Sequence, residues 1–267
     1  MANNKHKIAL LCICLNKEYW PFLKAMMDSA RKFLLNGSEL EFLVWTDMPV
    51  DTDLGKGVTL YPTESIGWPI PTLNRYHLFL EQEEKIKESD WVFYIDCDML
   101  FVSRVGEEIL GEGLTACQHP MYAVAQEYIP PYEPNKKSSA YIPRPGRVIE
   151  KDGKKKFQPL YFAGGFQGGR PEAFIKAMKV MKKNVDKDLS SGYIPIWNEE
   201  SIFNHYLFKN PPAVVLSPSY IYPDSLIKPY YQTKIWGRSY CPKIITLTKK
   251  FSMNKDGGTA LNLMLQK

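Results

Sequence analysis

Two aspartates one residue apart, Asp96 and Asp98, directly follow the apolar run Trp91–Ile95. Such a run predicts a buried strand, and open α/β sheets bind ligands at the carboxyl edge of their strands. Paired carboxylates at that edge suit a hard divalent cation that also holds substrate phosphates. The motif therefore points to an enzyme that uses a nucleoside diphosphate, although such a triplet taken alone is more often a turn or a cap.

Two further clusters could carry chemistry. The segment 161–169 contains two Gly pairs beside aromatic residues, which would let a ligand approach the backbone closely. The alternative is a β-bulge and a tight turn before a helix that begins at Pro171. Trp197 offers a flat face for a sugar ring, with Glu199 and Glu200 after it. The residues alone favour the simpler interpretation of that segment as a helix start, in which Asn198 is the N-cap and the acidic residues favour the helix dipole.

Cationic side chains supply a possible anion site. Arg75 could reach an anion or could be a solvated helix residue. The aromatic tail carries further cations that could close over a diphosphate and neutralise a leaving group, or could have no role. These tail cations are Lys234, Arg238, Lys243, Lys249 and Lys250.

Hydrophobic periodicity indicates the elements that would position these residues. The first half alternates between strands and helices, which predicts an α/β fold with a mostly parallel sheet. The predicted elements there are strand Lys7–Leu15, helix Tyr19–Leu35, strands Leu40–Thr46 and Val58–Tyr61, helix Leu73–Glu88 and strand Trp91–Ile95.

The second half is less regular. A Pro- and Lys-rich stretch, Pro130–Lys156, predicts a long excursion, and the chain from Ser217 onwards an irregular tail. The predicted elements between them are strand Leu114–Gln118, strand Phe157–Phe166 broken by its glycines, helices Pro171–Asp188 and Glu199–Leu207, and strand Ala213–Leu216. We expect a single domain over residues 1–267, with a nucleotide-binding half (about 1–100), an acceptor and catalytic half (about 101–230) and a basic tail (231–267).

Composition excludes several classes of protein. Hydrophobic residues make up 45% of the 267 residues, which is ample for a core. A net charge of +5 is mild and dispersed, so no nucleic-acid partner is expected. The 5 cysteines include no Cys-x-x-Cys, which favours free thiols in a reducing compartment. No apolar stretch is long enough to cross a membrane, so we expect a cytoplasmic protein without stable membrane insertion.

Taken in order, the motifs give a specific resemblance. The chain resembles the family 6 glycosyltransferases, retaining α-1,3-galactosyl- and N-acetylgalactosaminyltransferases that include the blood-group A and B enzymes. The likeness runs from about Ile8 to Lys249. The segments that carry it are Tyr19–Leu23, Trp45–Asp47, Asp96–Met99, His119-Pro120, Ala140–Pro143, Gly164–Gly169, Trp197–Ser201 and Val215–Pro218.

This resemblance implies a GT-A fold, a UDP-sugar donor, a glycan acceptor and Mn²⁺, with Mg²⁺ as an alternative. It implies that Asp96 and Asp98 hold the metal and that Glu200 is the catalytic carboxylate. His119 and Trp197 match positions that contact the acceptor. The implied donor contacts are Leu15, Tyr19, Arg75, Ala163, Gly164, Gly165, Glu199, Lys243 and Lys249.

Departures from the family pattern qualify these expectations. Asn198 and Glu199 stand where the mammalian enzymes have His and Asp, so sugar contacts have room to differ. Both metal carboxylates are retained, which predicts metal dependence, and the absence of an anchor resembles bacterial or phage members. The small triplet Ala163–Gly165 favours UDP-GalNAc, with UDP-Gal as the alternative. We therefore expect α-1,3 transfer to a β-galactoside, with a fucosylated β-galactoside as one option. The alternative from another functional class is a non-catalytic protein that binds sugar nucleotides or glycans.

Overall fold

The computed structural model describes most of the chain. The described residues are 6–49, 51–64, 67–123, 130–143, 147–151, 154–158, 160–227, 234–235 and 238–249. Of the predicted tail cations, Lys250 lies outside this set.

A seven-stranded sheet forms the centre of the described fold, in the order β10-β6-β9-β4-β1-β2-β3. Neighbouring pairs are parallel except at β9, which runs antiparallel to both β4 and β6. This is the mostly parallel α/β architecture expected of a GT-A fold. The strands are β1 (Lys7–Cys14), β2 (Glu39–Thr46), β3 (Val58–Pro62), β4 (Trp91–Ile95), β5 (Met99–Phe101), β6 (Leu114–Gln118), β7 (Arg147–Lys151), β8 (Lys154–Gln158), β9 (Phe162–Gly169), β10 (Val214–Leu216), β11 (Tyr222–Pro223), β12 (Lys234–Ile235), β13 (Arg238–Ser239) and β14 (Ile244–Thr246).

Helices cover both faces of the sheet. Strands β1 and β4 are almost wholly buried, as expected for central parallel strands that pack against helices on each side. Two hydrophobic clusters result, one centred on α1 and the other on α5 and α6. The helices are α1 (Trp20–Phe33), α2 (Ile70–Leu73), α3 (Arg75–Leu80), α4 (Glu83–Lys87), α5 (Pro171–Ser190) and α6 (Asn198–Lys209).

The predicted helix Leu73–Glu88 is wrong as one element. It is three short helices, α2 to α4, separated where Asn74 and Gln82 leave helical dihedral angles (ψ 3° and 28°). The interruptions redirect the chain, so that Arg75 and Tyr76 at the start of α3 are both buried.

The predicted strand Phe157–Phe166 is also wrong. Phe157 belongs to β8, which forms a hairpin with β7, whereas β9 runs without a break through all its glycines. A Cβ on Gly168 would lie 2.1 Å from the carbonyl oxygen of Val92, and one on Gly169 would lie 2.0 Å from that of Gly113. These glycines therefore permit close strand contact and do not end the strand.

The segment after Ser217 is more ordered than predicted. Strands β11 and β14 form a three-stranded sheet with β5, the strand that follows Asp98. This sheet brings residues 244–249 back beside the predicted metal carboxylates. Among the described helices, none combines the length and the apolar character that crossing a bilayer requires.

Candidate active site

A cleft of about 590 Å³ opens beyond the carboxyl ends of β1 and β4. It is formed by segments that are distant in sequence, from the end of β1 to the residues after β14. The structure brings together in its lining many of the residues singled out from the sequence: Leu15, Tyr19, Arg75, Asp96, Asp98, His119, Trp197, Glu199, Glu200 and Lys249.

The two aspartates differ in their surroundings. Asp96 is partly exposed, its amide donates to the carbonyl oxygen of Gly165 (3.0 Å), and its carboxylate accepts a hydrogen bond from the Tyr94 hydroxyl. Asp98 is 2% exposed and forms an ion pair with Lys249 at 2.8 Å. Burial, followed by the charge of Asp96, raises the pKa of Asp98 to about 7, and Lys249 opposes this shift.

These carboxylates fit a divalent cation that is shared with a ligand. Their oxygens are the hard donors that Mn²⁺ and Mg²⁺ accept. Among the described residues, however, no group of three or more His, Cys, Asp or Glu side chains could hold a metal. The donor set therefore matches an ion that completes its coordination with phosphate oxygens and water, and Lys249 would have to release Asp98 when the ion binds.

Arg75 links Glu199 to strand β9. Its guanidinium pairs with Glu199 (2.9 Å), donates to the carbonyl oxygen of Gly164 (3.0 Å) and lies 4.2 Å from the centroid of the Tyr94 ring. Both members of the ion pair are nearly inaccessible, at 3% and 9% side-chain exposure. The side chain of Gln167 donates to the same carbonyl (2.9 Å). This network holds Glu199 at the cleft wall.

Glu200 is held on the cleft wall by β9 and its own helix. Its carboxylate accepts the amide hydrogen of Gly164 at 2.8 Å. Asn204, one turn later, donates to the carbonyl oxygens of Glu200 (2.9 Å) and Phe162 (2.8 Å) and accepts the Phe162 amide (2.8 Å). Burial raises the pKa of Glu200 to about 7. The carboxylate is thus positioned by backbone contacts, and its burial favours the protonated form more than in an exposed glutamate.

Gly164 and Gly165 face different carboxylates. A Cβ on Gly164 would lie 3.1 Å from Glu199 Oε1 and 3.5 Å from Glu200 Oε2. A Cβ on Gly165 would lie 2.6 Å from Asp96 Oδ2. Glycine at these positions therefore lets each carboxylate lie close against β9, with no free space for a Cβ between them.

The other wall of the cleft carries aromatic and neutral groups. Trp197 is 49% exposed, and Asn198 beside it has a positive φ of 50°. His119 accepts the Met121 amide through Nδ1 (3.2 Å), and burial lowers its pKa to about 4. A neutral imidazole with Nδ1 acting as acceptor has its proton on Nε2, where it can donate to a hydroxyl group.

Two residues that were predicted to contact the donor, Lys243 and Ala163, do not line the cleft. Lys243 does not line the cleft but forms an ion pair with Glu108, and its ammonium lies 5.3 Å from the centroid of the Tyr220 ring. Ala163 is 3% exposed, and its methyl group packs in the core cluster that contains Cys117. The contacts of Lys243 and Ala163 with the donor therefore stay a prediction.

Sequence reasoning also missed residues at this site. Trp68, 78% exposed, and Tyr94 line the cleft, and Asn204 supports it from below. Period-two alternation along β4 would have placed Tyr94 on the same side as Asp96. No sequence signal pointed to Trp68 or Asn204.

Comparison with known proteins agrees with this geometry. The sequence model described as glycosyltransferase family 6 matches residues 2–239. The rat histo-blood group ABO system transferase 1 is 32% identical over 220 residues, which are 79% of this chain and 60% of the rat protein. The human globoside α-1,3-N-acetylgalactosaminyltransferase 1 is 26% identical over 223 residues, with the same two shares.

A bacterial protein is similar as well. The Escherichia coli O-antigen biosynthesis glycosyltransferase WbnI is 25% identical over 158 residues, 59% of this chain and 62% of that protein. The chain thus spans about three fifths of the length of these relatives. Because the family model covers nearly the whole sequence, the chain belongs to glycosyltransferase family 6.

Proposed function

We propose that this chain is a metal-dependent retaining glycosyltransferase that moves GalNAc from UDP-GalNAc to the 3-hydroxyl of a β-galactoside in α-1,3 linkage. UDP-Gal is the alternative donor. The names of the human and rat relatives, a globoside α-1,3-N-acetylgalactosaminyltransferase and an ABO transferase, support this substrate class. A fucosylated galactoside is one candidate acceptor, and only the family resemblance suggests it.

One observation carries the proposal: Glu200 lines the same cleft as the Asp96 and Asp98 pair. Transfer breaks the bond between the anomeric carbon and the diphosphate, which leaves positive charge on the sugar and negative charge on UDP. A carboxylate suits the first charge and cations suit the second. The Glu200 carboxylate and the cations Arg75 and Lys249 line the same cavity.

The leaving group would be held on the aspartate side. A divalent ion bound by Asp96 and Asp98 would supply charge neutralisation to the diphosphate. Lys249 would exchange its contact with Asp98 for a contact with a phosphate oxygen. Leu15, which follows β1, and Tyr19, which precedes α1, would contact the uridine.

Glu200 would act on the sugar side. Ionised, it can form a covalent glycosyl-enzyme by attacking the anomeric carbon as UDP departs, and the acceptor hydroxyl then displaces it. Alternatively, it stabilises the cationic sugar while the acceptor attacks from the side that UDP leaves. Both routes retain configuration.

The acceptor sugar would lie against Trp197, which provides an apolar face, and His119, whose Nε2 proton can be donated to a hydroxyl. The preference for GalNAc rests on the two glycines of β9. In the resemblance, the small triplet Ala163–Gly165 leaves room for an N-acetyl group; in the structure, a Cβ on Gly164 or Gly165 would instead lie against a carboxylate. One methyl group discriminates by only about 1–3 kcal/mol.

Direct assay tests this function. The protein is incubated with UDP-GalNAc or UDP-Gal, Mn²⁺ and a panel of β-galactosides, and the products are scored by linkage. We expect an α-1,3 product, loss of activity in EDTA and recovery with Mn²⁺. Binding of the nucleotide sugar without release of UDP would instead favour a binding protein, and equal release of sugar with and without acceptor would favour a hydrolase.

The variant Glu200→Gln is expected to abolish nearly all transfer while UDP still binds in calorimetry. Glu172→Gln is the matched control because Glu172 also lies in the first turn of a helix, α5, but is exposed. Unchanged turnover of Glu200→Gln would remove Glu200 from the mechanism.

A further inference from the structure

Glu133 is a buried carboxylate that lies outside the cleft lining. It is 2% exposed, and both of its oxygens are engaged. Oε1 accepts hydrogen bonds from the Tyr193 hydroxyl (2.7 Å) and the Asn135 amide (2.7 Å), and Oε2 accepts one from the Ile196 amide (2.8 Å). These donors are neutral, so hydrogen bonds alone hold this buried side chain, and burial of such a polar group requires that several donors converge on it.

The segment that Glu133 holds leads directly into the cleft wall. The Asn198 amide donates to the carbonyl oxygen of Pro195 (2.8 Å), which closes a turn that contains Ile196 and Trp197. Asn198 has a φ of 50°, a left-handed conformation that Asn tolerates better than most other residues. On the other side, Ser201 Oγ accepts the Trp197 amide (3.1 Å). The backbone of Trp197 is therefore fixed between Glu133 and the first turn of α6.

We propose that Glu133 is the positioning residue of the acceptor wall, which we define as His119, Trp197 and Asn198. By anchoring Ile196, it holds Trp197 and Asn198 in the orientation that receives the acceptor sugar. The proposal rests on the proposed function, because the acceptor role of Trp197 is part of it. Glu199 and Glu200, which follow the acceptor wall directly, have contacts of their own with Arg75 and with the Gly164 amide, so we expect them to keep their positions when this anchor is lost.

Asp188 provides a matched control. It is also 2% exposed, and its carboxylate binds the same 130–143 segment near its other end, through the Ser138 hydroxyl (2.6 Å) and the Ser139 amide (2.8 Å). Its side chain holds that segment to the end of α5 and not to the acceptor wall. Loss of either carboxylate therefore loosens one segment, but only loss of Glu133 releases Ile196.

The first experiment compares Glu133→Gln with Asp188→Asn in steady-state transfer. Glutamine has one acceptor oxygen in place of two, so at least one anchoring bond is lost. We expect Glu133→Gln to raise the KM for the acceptor about tenfold or more, while kcat and the KM for the donor stay within about threefold. Asp188→Asn should change the acceptor KM by less than about threefold. An equal rise in both variants, or a rise in donor KM, would overturn the proposal.

A second measurement does not depend on turnover. Hydrogen–deuterium exchange should accelerate over residues 193–198 in Glu133→Gln, whereas Asp188→Asn should accelerate exchange over 138–143. Unchanged exchange over 193–198 would overturn the anchoring role even if the wild type transfers sugar. If the wild type transfers nothing, the proposed function fails and exchange alone decides whether Glu133 anchors the wall. Tyr193→Phe, which removes a single donor, replaces Glu133→Gln if that variant does not fold.

Discussion

Replacing Gly165 with alanine should weaken metal binding without a direct change to any metal ligand. The added Cβ would lie 2.6 Å from Asp96 Oδ2 and 3.2 Å from Ile221 Cδ1. Asp96 cannot rotate freely to avoid it, because its other carboxylate oxygen accepts the Tyr94 hydroxyl and its amide donates to Gly165. The carboxylate must therefore shift together with its hydrogen-bond partners.

The size of the effect follows from this distance. Asp96 Oδ2 has to retreat from 2.6 Å to at least 3.0 Å, the shortest approach that Cβ atoms tolerate. Metal–ligand distances vary by only about 0.2 Å in a functional site. Overpacking of this kind costs about 1–3 kcal/mol, which corresponds to about a 5- to 150-fold loss of affinity. We expect the Mn²⁺ concentration for half-maximal transfer to rise by a factor in that range.

Gly164→Ala is the matched control on the same strand. Neither glycine has a positive φ, so alanine is compatible with both backbones. The Cβ at position 164 would meet Glu199 and Glu200 and not Asp96. We expect Gly164→Ala to lower kcat while the Mn²⁺ requirement stays within about twofold, since its effect is on the sugar side.

Two assays separate these outcomes. Transfer is titrated with Mn²⁺ at saturating donor, and Mn²⁺ binding in the presence of UDP is followed by electron paramagnetic resonance, which needs no turnover. The reasoning would be refuted if Gly165→Ala folded normally and bound Mn²⁺ as the wild type does. It would also be refuted if both alanine variants shifted the Mn²⁺ titration equally.

Three further predictions concern the charged groups of the cleft. Because Glu200 with a pKa of about 7 must be ionised to act, kcat should fall about tenfold for each pH unit below 7; a flat profile from pH 5.5 to 8 would contradict this. Arg75→Met should lower the free energy of unfolding in urea by about 3–5 kcal/mol by leaving Glu199 buried without its partner. Adding Glu199→Gln should restore part of this, and no recovery would argue against the ion pair. Lys249→Gln should raise the KM for the UDP-sugar about tenfold, whereas Lys243→Gln should change it by less than about twofold; equal effects would place both lysines at the donor.

Local patterns predicted most of the first half of the fold because the buried faces of its strands and helices are visible in the spacing of their own apolar residues. The continuous apolar run before Asp96 is β4, and the periodicity after Tyr19 is α1. Each of these elements has one buried face or two, and period alone reveals that. The prediction failed where glycines serve close strand contact, as in β9, and where single residues such as Asn74 redirect a helix.

The candidate site divides along the same line. Spacing drew attention to carboxylates at a strand end and at a helix start, Asp96 and Glu200, but the role of Glu200 was implied only by the family resemblance. The separate placements of Lys243 and Lys249 could not be predicted, because they depend on the pairing of β14 with a strand more than 140 residues earlier. Glu133 was missed for another reason. It lies in a Pro- and Lys-rich stretch, whose composition is typical of a solvated loop.

The pairing of β5 with β14 has a consequence for the order in which the site is made. The main sheet is complete once Leu216 has been synthesised, but the strand after Asp98 then still lacks its partner. The Leu247 amide, which donates to the Asp98 carbonyl oxygen (2.9 Å), arrives later still. Because the chain emerges with its N-terminus first, the cleft cannot be completed before residues 244–249 have been synthesised. A nascent or proteolytically clipped chain that ends before Ile244 would therefore lack both the strand that pairs with β5 and the Lys249 side chain of the cleft lining.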